Sequence, residues 1–133
     1  TQGTGLQVRL DLPDPMPFTD VELCTVLGNL LDNAVEACSR QTKGKRRILV
    51  VGEIRGNMYF LKIENTYDGL ILPEEKTFRS RKGTAADHGI GLSSVRRILE
   101  NHGGDLDLVP GEETFLVGIT IECPFISKSQ RVI

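Results

Sequence analysis

Along this chain the spacing between hydrophobic residues alternates between two residues, which is typical of strands, and about 3.6 residues, which is typical of helices. The order in which these segments follow one another constrains the fold more than any single motif. Residues 6–12 alternate between apolar and polar side chains, which predicts a half-buried strand ended by the prolines that follow. A helix is predicted next, from Thr19 or Asp20 to about Ser39, because either residue can cap it and apolar residues then recur at helical spacing. Its predicted apolar side comprises Leu23, Cys24, Leu27, Leu30, Leu31, Ala34, Val35 and Cys38.

The rest of the chain adds two hairpins and one helix to this order. Residues 47–55 and 58–65 flank a Gly-Asn turn and are predicted to form a hairpin. A helix over about residues 92–99 is stopped by a Gly-Gly pair, and residues 106–123 form a closing hairpin. Because helices and strands do not alternate one for one, we expect an α+β fold, a two-layer α/β sandwich with helices on one face of a mixed sheet of about five strands. The polar tail after Pro124 is expected to be frayed.

Residues 66–88 show no periodicity and include several basic side chains. A connection of this length is uncommon in a compact domain and is usually either functional or disordered. We predict a lid over a ligand, in which Arg81 and Lys82 can meet phosphate oxygens.

The composition restricts the kinds of partner. The 133 residues fit one domain, residues 1–133, and the net charge of −2 gives no reason to expect a nucleic-acid or anionic-membrane surface. No apolar run approaches the ~18 residues that a membrane span requires, so no direct membrane insertion is expected. The three cysteines, Cys24, Cys38 and Cys123, have no metal-ligand spacing and are predicted to be buried free thiols.

The polar side of the first predicted helix carries two asparagines one turn apart. Asn29 and Asn33 lie among carboxylates rather than in the mixture of Lys and Glu that is typical of a solvated face. An Asn oxygen is a neutral hard ligand suited to Mg²⁺, which also takes oxygens from nucleotide phosphates. An ordinary exposed face explains the same pair, so the pattern alone leaves both interpretations open.

Two glycines, Gly89 and Gly91, fall where the long loop becomes the second helix. Glycine lets the backbone approach a ligand closely, and the free N–H groups and dipole of a helix start favour phosphate. A loop that needs glycine for its turn is the alternative.

The end of the strand near residue 65 carries short polar side chains. Asn65 and Asp68 can each accept a hydrogen bond from the exocyclic amine of adenine. A strand-ending turn of Asn, Asp and Gly is the alternative. Neither His88 nor His102 has a Cys partner or a Ser-His-Asp order around it, so neither is predicted to be catalytic.

Taken in this order, the asparagine helix, polar strand end, long lid and glycine-started helix resemble the GHKL superfamily of ATP-binding domains, which share the Bergerat sandwich. Residues 27–37, LGNLLDNAVEA, resemble the N box of bacterial sensor histidine kinases, and residues 88–95, HGIGLSSV, resemble their second glycine box. The resemblance implies ATP and Mg²⁺ as cofactors, Asn33 as the magnesium ligand and Asn29 as a second catalytic residue. The cofactor-binding residues that it implies are Asn65, Asp68, Arg81, Lys82, Gly89, Ile90, Gly91 and Leu92.

The residue at position 29 distinguishes members of this superfamily. Hydrolysing relatives such as gyrase and MutL place a glutamate there as general base, and the amide of Asn29 cannot take the proton. The resemblance therefore implies transfer of the γ-phosphoryl group of Mg-ATP to a histidine of a dimerisation domain absent from this chain, with little activity in its absence. It also implies a downstream response regulator, and a cytoplasmic location as one domain of a membrane-anchored bacterial sensor.

Residues 65–69, NTYDG, depart from the usual Asp-x-Gly-x-Gly of the first glycine box. They are similar to the corresponding segment in the Agr-type kinases of peptide quorum sensing. Two other functions stay open. One is a serine kinase of the anti-sigma-factor type with the same fold, and the other is an interaction domain that binds no nucleotide.

Overall fold

The computed structural model describes residues 3–70, 90–123 and 128–133, and it confirms the α+β sandwich. The strands in this part are β1 (Thr4–Asp14), β2 (Arg46–Arg55), β3 (Met58–Thr66), β4 (Asp105–Pro110), β5 (Thr114–Glu122) and β6 (Lys128–Arg131). The helices in this part are α1 (Asp20–Arg40) and α2 (Ile90–Asn101). The six strands form one mixed sheet in the order β4-β5-β3-β2-β1-β6, in which β1 and β2 are parallel and the other neighbours are antiparallel.

The start of α1 is fixed by a reciprocal pair of hydrogen bonds. The Thr19 hydroxyl accepts from the backbone N–H of Glu22 at 3.1 Å, and the Glu22 carboxylate accepts from the backbone N–H of Thr19 at 2.9 Å. This capping box satisfies two donors that a helix start leaves without intrahelical partners. The sequence left Thr19 and Asp20 open as the N-cap, and the structure has Thr19 in that position.

The helices cover one face of the sheet. Alternate residues of β3 point toward them, and Tyr59, Leu61 and Ile63 are each 1% exposed. Helix α1 packs over β3 and β2, while α2 packs beside α1 and over β4. The junction between the two helices is where polar side chains of α1 come next to the start of α2. Neither helix in the described ranges is long and apolar enough to cross a membrane.

The far edge of the sheet differs from the prediction. Residues 128–131, expected to be frayed, form β6 and pair antiparallel with the end of β1, so that Arg131 lies opposite Asp11. The pairing extends to the chain end, where Leu10 exchanges backbone hydrogen bonds with Val132 and Ile133. Strand pairing uses backbone groups and does not require apolar side chains, which is why the polar composition was misleading.

The buried side of α1 is rotated toward the asparagines relative to the prediction. Its buried residues are Val26, Leu30, Ala34, Ala37 and Cys38. Cys24 is exposed and Val35 is 55% exposed, although both were placed on the apolar side, and the prediction of a buried thiol is wrong for Cys24. The physical reason is that α1 packs against α2 as well as the sheet, which draws its polar edge inward.

Candidate functional site

A cleft opens between the inner side of α1, the end of β3 and the start of α2. In this structure its free volume is about 10 Å³, close to what one water molecule needs. Its lining residues are Leu30, Asn33, Ala34, Ala37, Arg40, Ile63, Asn65, Tyr67, Leu70, Leu92, Leu108, Phe115 and Val117.

The structure separates the two asparagines of α1. Asn33 is half-buried and lines the cleft, one helical turn before Ala37. Asn29 is also half-buried but is not among the lining residues, and its amide N–H donates to the backbone carbonyl of Thr25 at 2.8 Å. The two residues therefore have different surroundings, although their spacing in the sequence suggests a matched pair.

Asn29 contacts the beginning of α2. A Cβ atom added to Gly91 would lie 2.8 Å from the Asn29 Oδ1, closer than real Cβ atoms come, and 3.3 Å from its Cγ. The start of α2 therefore lies beside Asn29, and a side chain at Gly91 would force the Asn29 amide to shift. The next residue, Leu92, is 3% exposed and lines the cleft. Ile90 begins the helix, as the sequence predicted within two residues.

Asn65 forms part of the opposite wall. Its side chain is 5% exposed, and its amide N–H donates to the backbone carbonyl of Thr66 at 3.0 Å. Within the part of the chain that the structure describes, its Oδ1 accepts no hydrogen bond. An amide oxygen of a largely buried residue that lines a cleft and accepts no hydrogen bond from the described residues can accept one from a ligand.

Tyr67 holds this wall in place and was not identified from the sequence. Its backbone N–H donates to Glu113, its hydroxyl donates to the carbonyl of Gly111, and its ring meets that of Phe115 edge-on at 5.5 Å. The available signal was the alternation Ile63, Asn65, Tyr67, which continues the inward-facing set past the end of β3.

Asp68 does not reach the cleft. It is exposed, and its carboxylate accepts from the backbone N–H of Leu70 at 3.0 Å, the arrangement of a turn. Three other predicted residues, Arg81, Lys82 and Gly89, lie outside the described residues, as do His88 and nearly all of the predicted lid over residues 66–88.

The cleft has little charge of its own. Among its lining residues in the described ranges, Arg40 is the only charged one, and no carboxylate or imidazole is present. The described residues also contain no group of three or more His, Cys, Asp or Glu that could hold a metal ion. A magnesium ion that keeps waters and takes phosphate oxygens needs only one or two protein oxygens, so Asn33 fits such an ion without that cluster.

Arg40 was also missed by the sequence reasoning. It is half-buried, and its Nε is enclosed and has no hydrogen-bond partner among the residues that the structure describes. Its position in the sequence could have identified it, because residues 33, 37 and 40 follow the i, i+4, i+7 spacing of one helix face and therefore lie on the same side of α1 as Asn33.

The opposite end of α2 is joined to the first turn of α1 by a hydrogen-bonding contact between two side chains. The Nε2 of His102 lies 3.0 Å from the Glu22 carboxylate, and its ring meets Phe18 edge-on. The pKa of Glu22 lies below its usual value, first because of the backbone N–H of Thr19 and second because of His102. This contact fixes the far end of α2 and supplies no group to the cleft.

Comparisons with known proteins agree with this architecture. A family model described as "GHKL domain" matches residues 18–122. The chain is 34% identical to the sensor protein kinase CarS of Pseudomonas aeruginosa over 97% of its own length and 28% of that protein. It is 30% identical to the sensor histidine kinase CitA of Klebsiella pneumoniae over 69% of its length and 17% of that protein. The chain therefore spans less than a third of these relatives.

Solved structures show the same fold. The catalytic domain of the histidine kinase ThkA, in a nucleotide-free form, superimposes with a TM-score of 0.62 at 22% identity, covering 90% of this chain and 78% of that one. Full-length ShkA in complex with AMPPNP gives a TM-score of 0.67 at 19% identity, covering 95% of this chain and 26% of that one.

Proposed function

We infer, because this chain belongs to the GHKL domain family, that it is the ATP-binding catalytic domain of a two-component sensor histidine kinase. The observation that carries this proposal is that Asn33 and Asn65, on different elements, line the same cleft. Asn33 supplies an amide oxygen suited to a magnesium ion, and Asn65, a largely buried residue, supplies an acceptor suited to adenine. If the asparagines of α1 belonged only to a solvent-exposed face, Asn33 would not be expected to line a cleft together with Asn65 of β3.

Each part of the nucleotide is assigned to a different part of the cleft. Asn33 holds Mg²⁺, which neutralises phosphate charge when bound. Asn65 accepts from the exocyclic amine of adenine. The start of α2 at Gly91 and Leu92 binds phosphates, together with Gly89, Arg81 and Lys82. Asp68, which holds a turn, stays a prediction for adenine.

Asn29 acts on the geometry rather than on the reacting atoms. Its N–H is used by the carbonyl of Thr25, and its oxygen lies against the start of α2. An amide cannot deprotonate water, and no lining residue in the described ranges offers a carboxylate as general base. This supports phosphoryl transfer over rapid hydrolysis.

The proposed reaction follows from positioning and charge neutralisation, which supply most of the catalysis in phosphoryl transfer. A neutral imidazole nitrogen of a histidine forms a bond to the γ-phosphorus, and the bond to the β–γ bridging oxygen breaks. ADP leaves, and the proton on the other ring nitrogen is released. The histidine belongs to a dimerisation domain of the same kinase, and a response regulator receives the phosphoryl group from it.

The location and subfamily follow from the same resemblance. We place the domain on the cytoplasmic side of a membrane-anchored bacterial sensor, where ATP is available. The Agr-type assignment rests only on residues 65–69, whereas the relatives named above are sensor kinases of other names. Those relatives favour a histidine kinase over the anti-sigma-factor serine kinase and over a nucleotide-free interaction domain.

The test is titration calorimetry of Mg-ATP with the wild-type chain and with Asn33→Ala. We expect the affinity to fall by about tenfold or more, because a ligand to the metal-phosphate unit is lost. The matched control is Asn101→Ala, an exposed asparagine on α2, which should bind as the wild type does. Equal affinities in Asn33→Ala and wild type, with equal melting temperatures, would show that the cleft assignment is wrong.

A further inference from the structure

The cleft has two distinguishable ends along α1. At one end, Asn29 lies against Gly91 and the start of α2. At the other end, the thiol of Cys38 donates to the backbone carbonyl of Thr66 at 3.6 Å, so the chain leaving β3 runs beside the last turns of α1. Eleven residues separate Asn29 from Arg40, which corresponds to roughly 16 Å of helix. Arg40 is therefore at the end away from the start of α2.

At this end of the cleft, the described residues leave one polar group without a hydrogen-bond partner and one apolar side chain largely uncovered. The Nε of Arg40 is enclosed without a hydrogen-bond partner, and buried polar groups of that kind are few in native proteins. Leu70 follows Tyr67 beyond β3, lines the cleft and is 53% exposed, which is high for a large apolar residue in a cavity wall. An enclosed N–H donor calls for a hydrogen-bond acceptor, and an exposed leucine calls for an apolar surface; a purine base offers ring nitrogens for the first and a flat face for the second.

The wall between them is formed by a small side chain. Ala37, one turn after Asn33, presents only a methyl group, and it is buried at 8% exposure. The acceptor on Asn65 lies in the opposite wall. The free volume of the cleft is about 10 Å³, so a flat heteroaromatic ring enters beside Ala37, with its amine toward Asn65, only when the side chains of the wall move apart, and its face then meets the side chains beyond.

We propose that the guanidinium of Arg40 lies against the face of the adenine base of the bound nucleotide and is a specificity-determining residue of the cleft. A guanidinium stacks on aromatic rings and is more weakly hydrated than an ammonium, so it can be covered by a base. This inference rests on the proposed function. It assigns Arg40 to the base and not to the phosphates, which the start of α2 binds at the other end.

A purely structural role for Arg40 makes a different prediction. Arg40 lies in the last turn of α1, where a cation stabilises the helix dipole. That role would lower the melting temperature of an Arg40→Ala variant without changing its affinity for any ligand.

The experiment measures ATP, ADP and adenosine binding by NMR titration in the presence of magnesium, a method that reaches millimolar dissociation constants. Arg40→Ala should weaken all three ligands by the same factor, about fivefold to thirtyfold. Arg40→Lys keeps the charge but loses the planar group, so it should lose nearly as much. The matched control is Arg55→Ala, whose side chain is 71% exposed at the far end of β2 and which should bind normally.

Each other outcome overturns the inference in a recognisable way. A loss that is largest for ATP and absent for adenosine assigns Arg40 to phosphate. Unchanged binding with a lower melting temperature leaves it as a helix-end residue. If the wild-type chain binds none of the three ligands, the proposed function itself fails, whereas wild-type binding that Arg40→Ala leaves intact removes only the role of Arg40.

Discussion

The two sides of α1 show how differently the same residue types behave within one helix. On the cleft side, Leu30 is 1% exposed and Ala34 is 1% exposed. On the outer side, Val21 is 76% exposed and Val35 is 55% exposed. Both sides repeat apolar residues at helical spacing, so periodicity identifies the helix but does not say which side is covered. The contacts with β3 and α2 decide that.

The two glycines of the helices extend this comparison. Gly28 lies on the outer side of α1, where an added Cβ would meet nothing within 4 Å. Gly91 lies at the helix junction, where the same atom would meet Asn29 at 2.8 Å. An alanine at Gly28 therefore meets no neighbour, whereas an alanine at Gly91 requires the Asn29 side chain to move.

The largest expected effect comes from truncating one apolar residue on each side. Leu30→Ala should lower the free energy of unfolding by about 2–5 kcal/mol, since it leaves a cavity beneath α1. Val35→Ala should change it by no more than about 0.5 kcal/mol. Urea denaturation of both variants measures the difference. Similar costs at the two positions would mean that the outer side is covered, and the comparison would fail.

The sequence predicted most of the fold because local patterns and turn residues agree. The hairpin of β2 and β3 was found from alternation and from the Gly-Asn turn, and Gly56 has the left-handed φ of 61° that its position needs. β6 was not found, because its pairing with β1 depends on backbone groups and leaves no apolar pattern.

The candidate site was predicted in part for a related reason. Asn33 and Asn65 were identified because they belong to recognisable motifs. Arg40 and Tyr67 were not, because their role follows from where α1 ends beside the chain leaving β3, a distance that no local pattern encodes. Asp68 was included because a polar segment that ends a strand suits ligand binding. In the structure its carboxylate instead holds a turn, by accepting from the backbone N–H of Leu70.

A smaller effect of opposite sign is expected at the two glycines. Gly28→Ala should raise the free energy of unfolding by about 0.5–1 kcal/mol, because alanine restricts the unfolded chain and favours helix. Gly91→Ala should lower it by about 1 kcal/mol, since the Asn29 amide must turn away from the Thr25 carbonyl. Thermal and urea unfolding of the two variants measure both changes.

A double-mutant cycle tests whether Asn29 is the cause at Gly91. In an Asn29→Ala background, adding Gly91→Ala should no longer reduce stability, which gives a coupling energy of about 1 kcal/mol. If the cost of Gly91→Ala is the same in both backgrounds, the contact between the helices does not explain the glycine.

The smallest expected effect on stability comes from the contact between Glu22, in the first turn of α1, and His102, at the end of α2. The pKa of Glu22 is lowered from 4.5, first by the hydrogen bond from Thr19 and then by His102. The ionised carboxylate therefore stabilises the fold above the unfolded pKa, and that stabilisation is lost as the pH falls below about 4.5 through the lower folded pKa. Wild type should exceed Glu22→Gln in stability at neutral pH, with the gap closing in acid. NMR titration of Glu22 in His102→Gln should still give a pKa below 4.5, because the larger cause remains; a pKa restored to 4.5 there would make His102, and not the capping box, the origin of the shift.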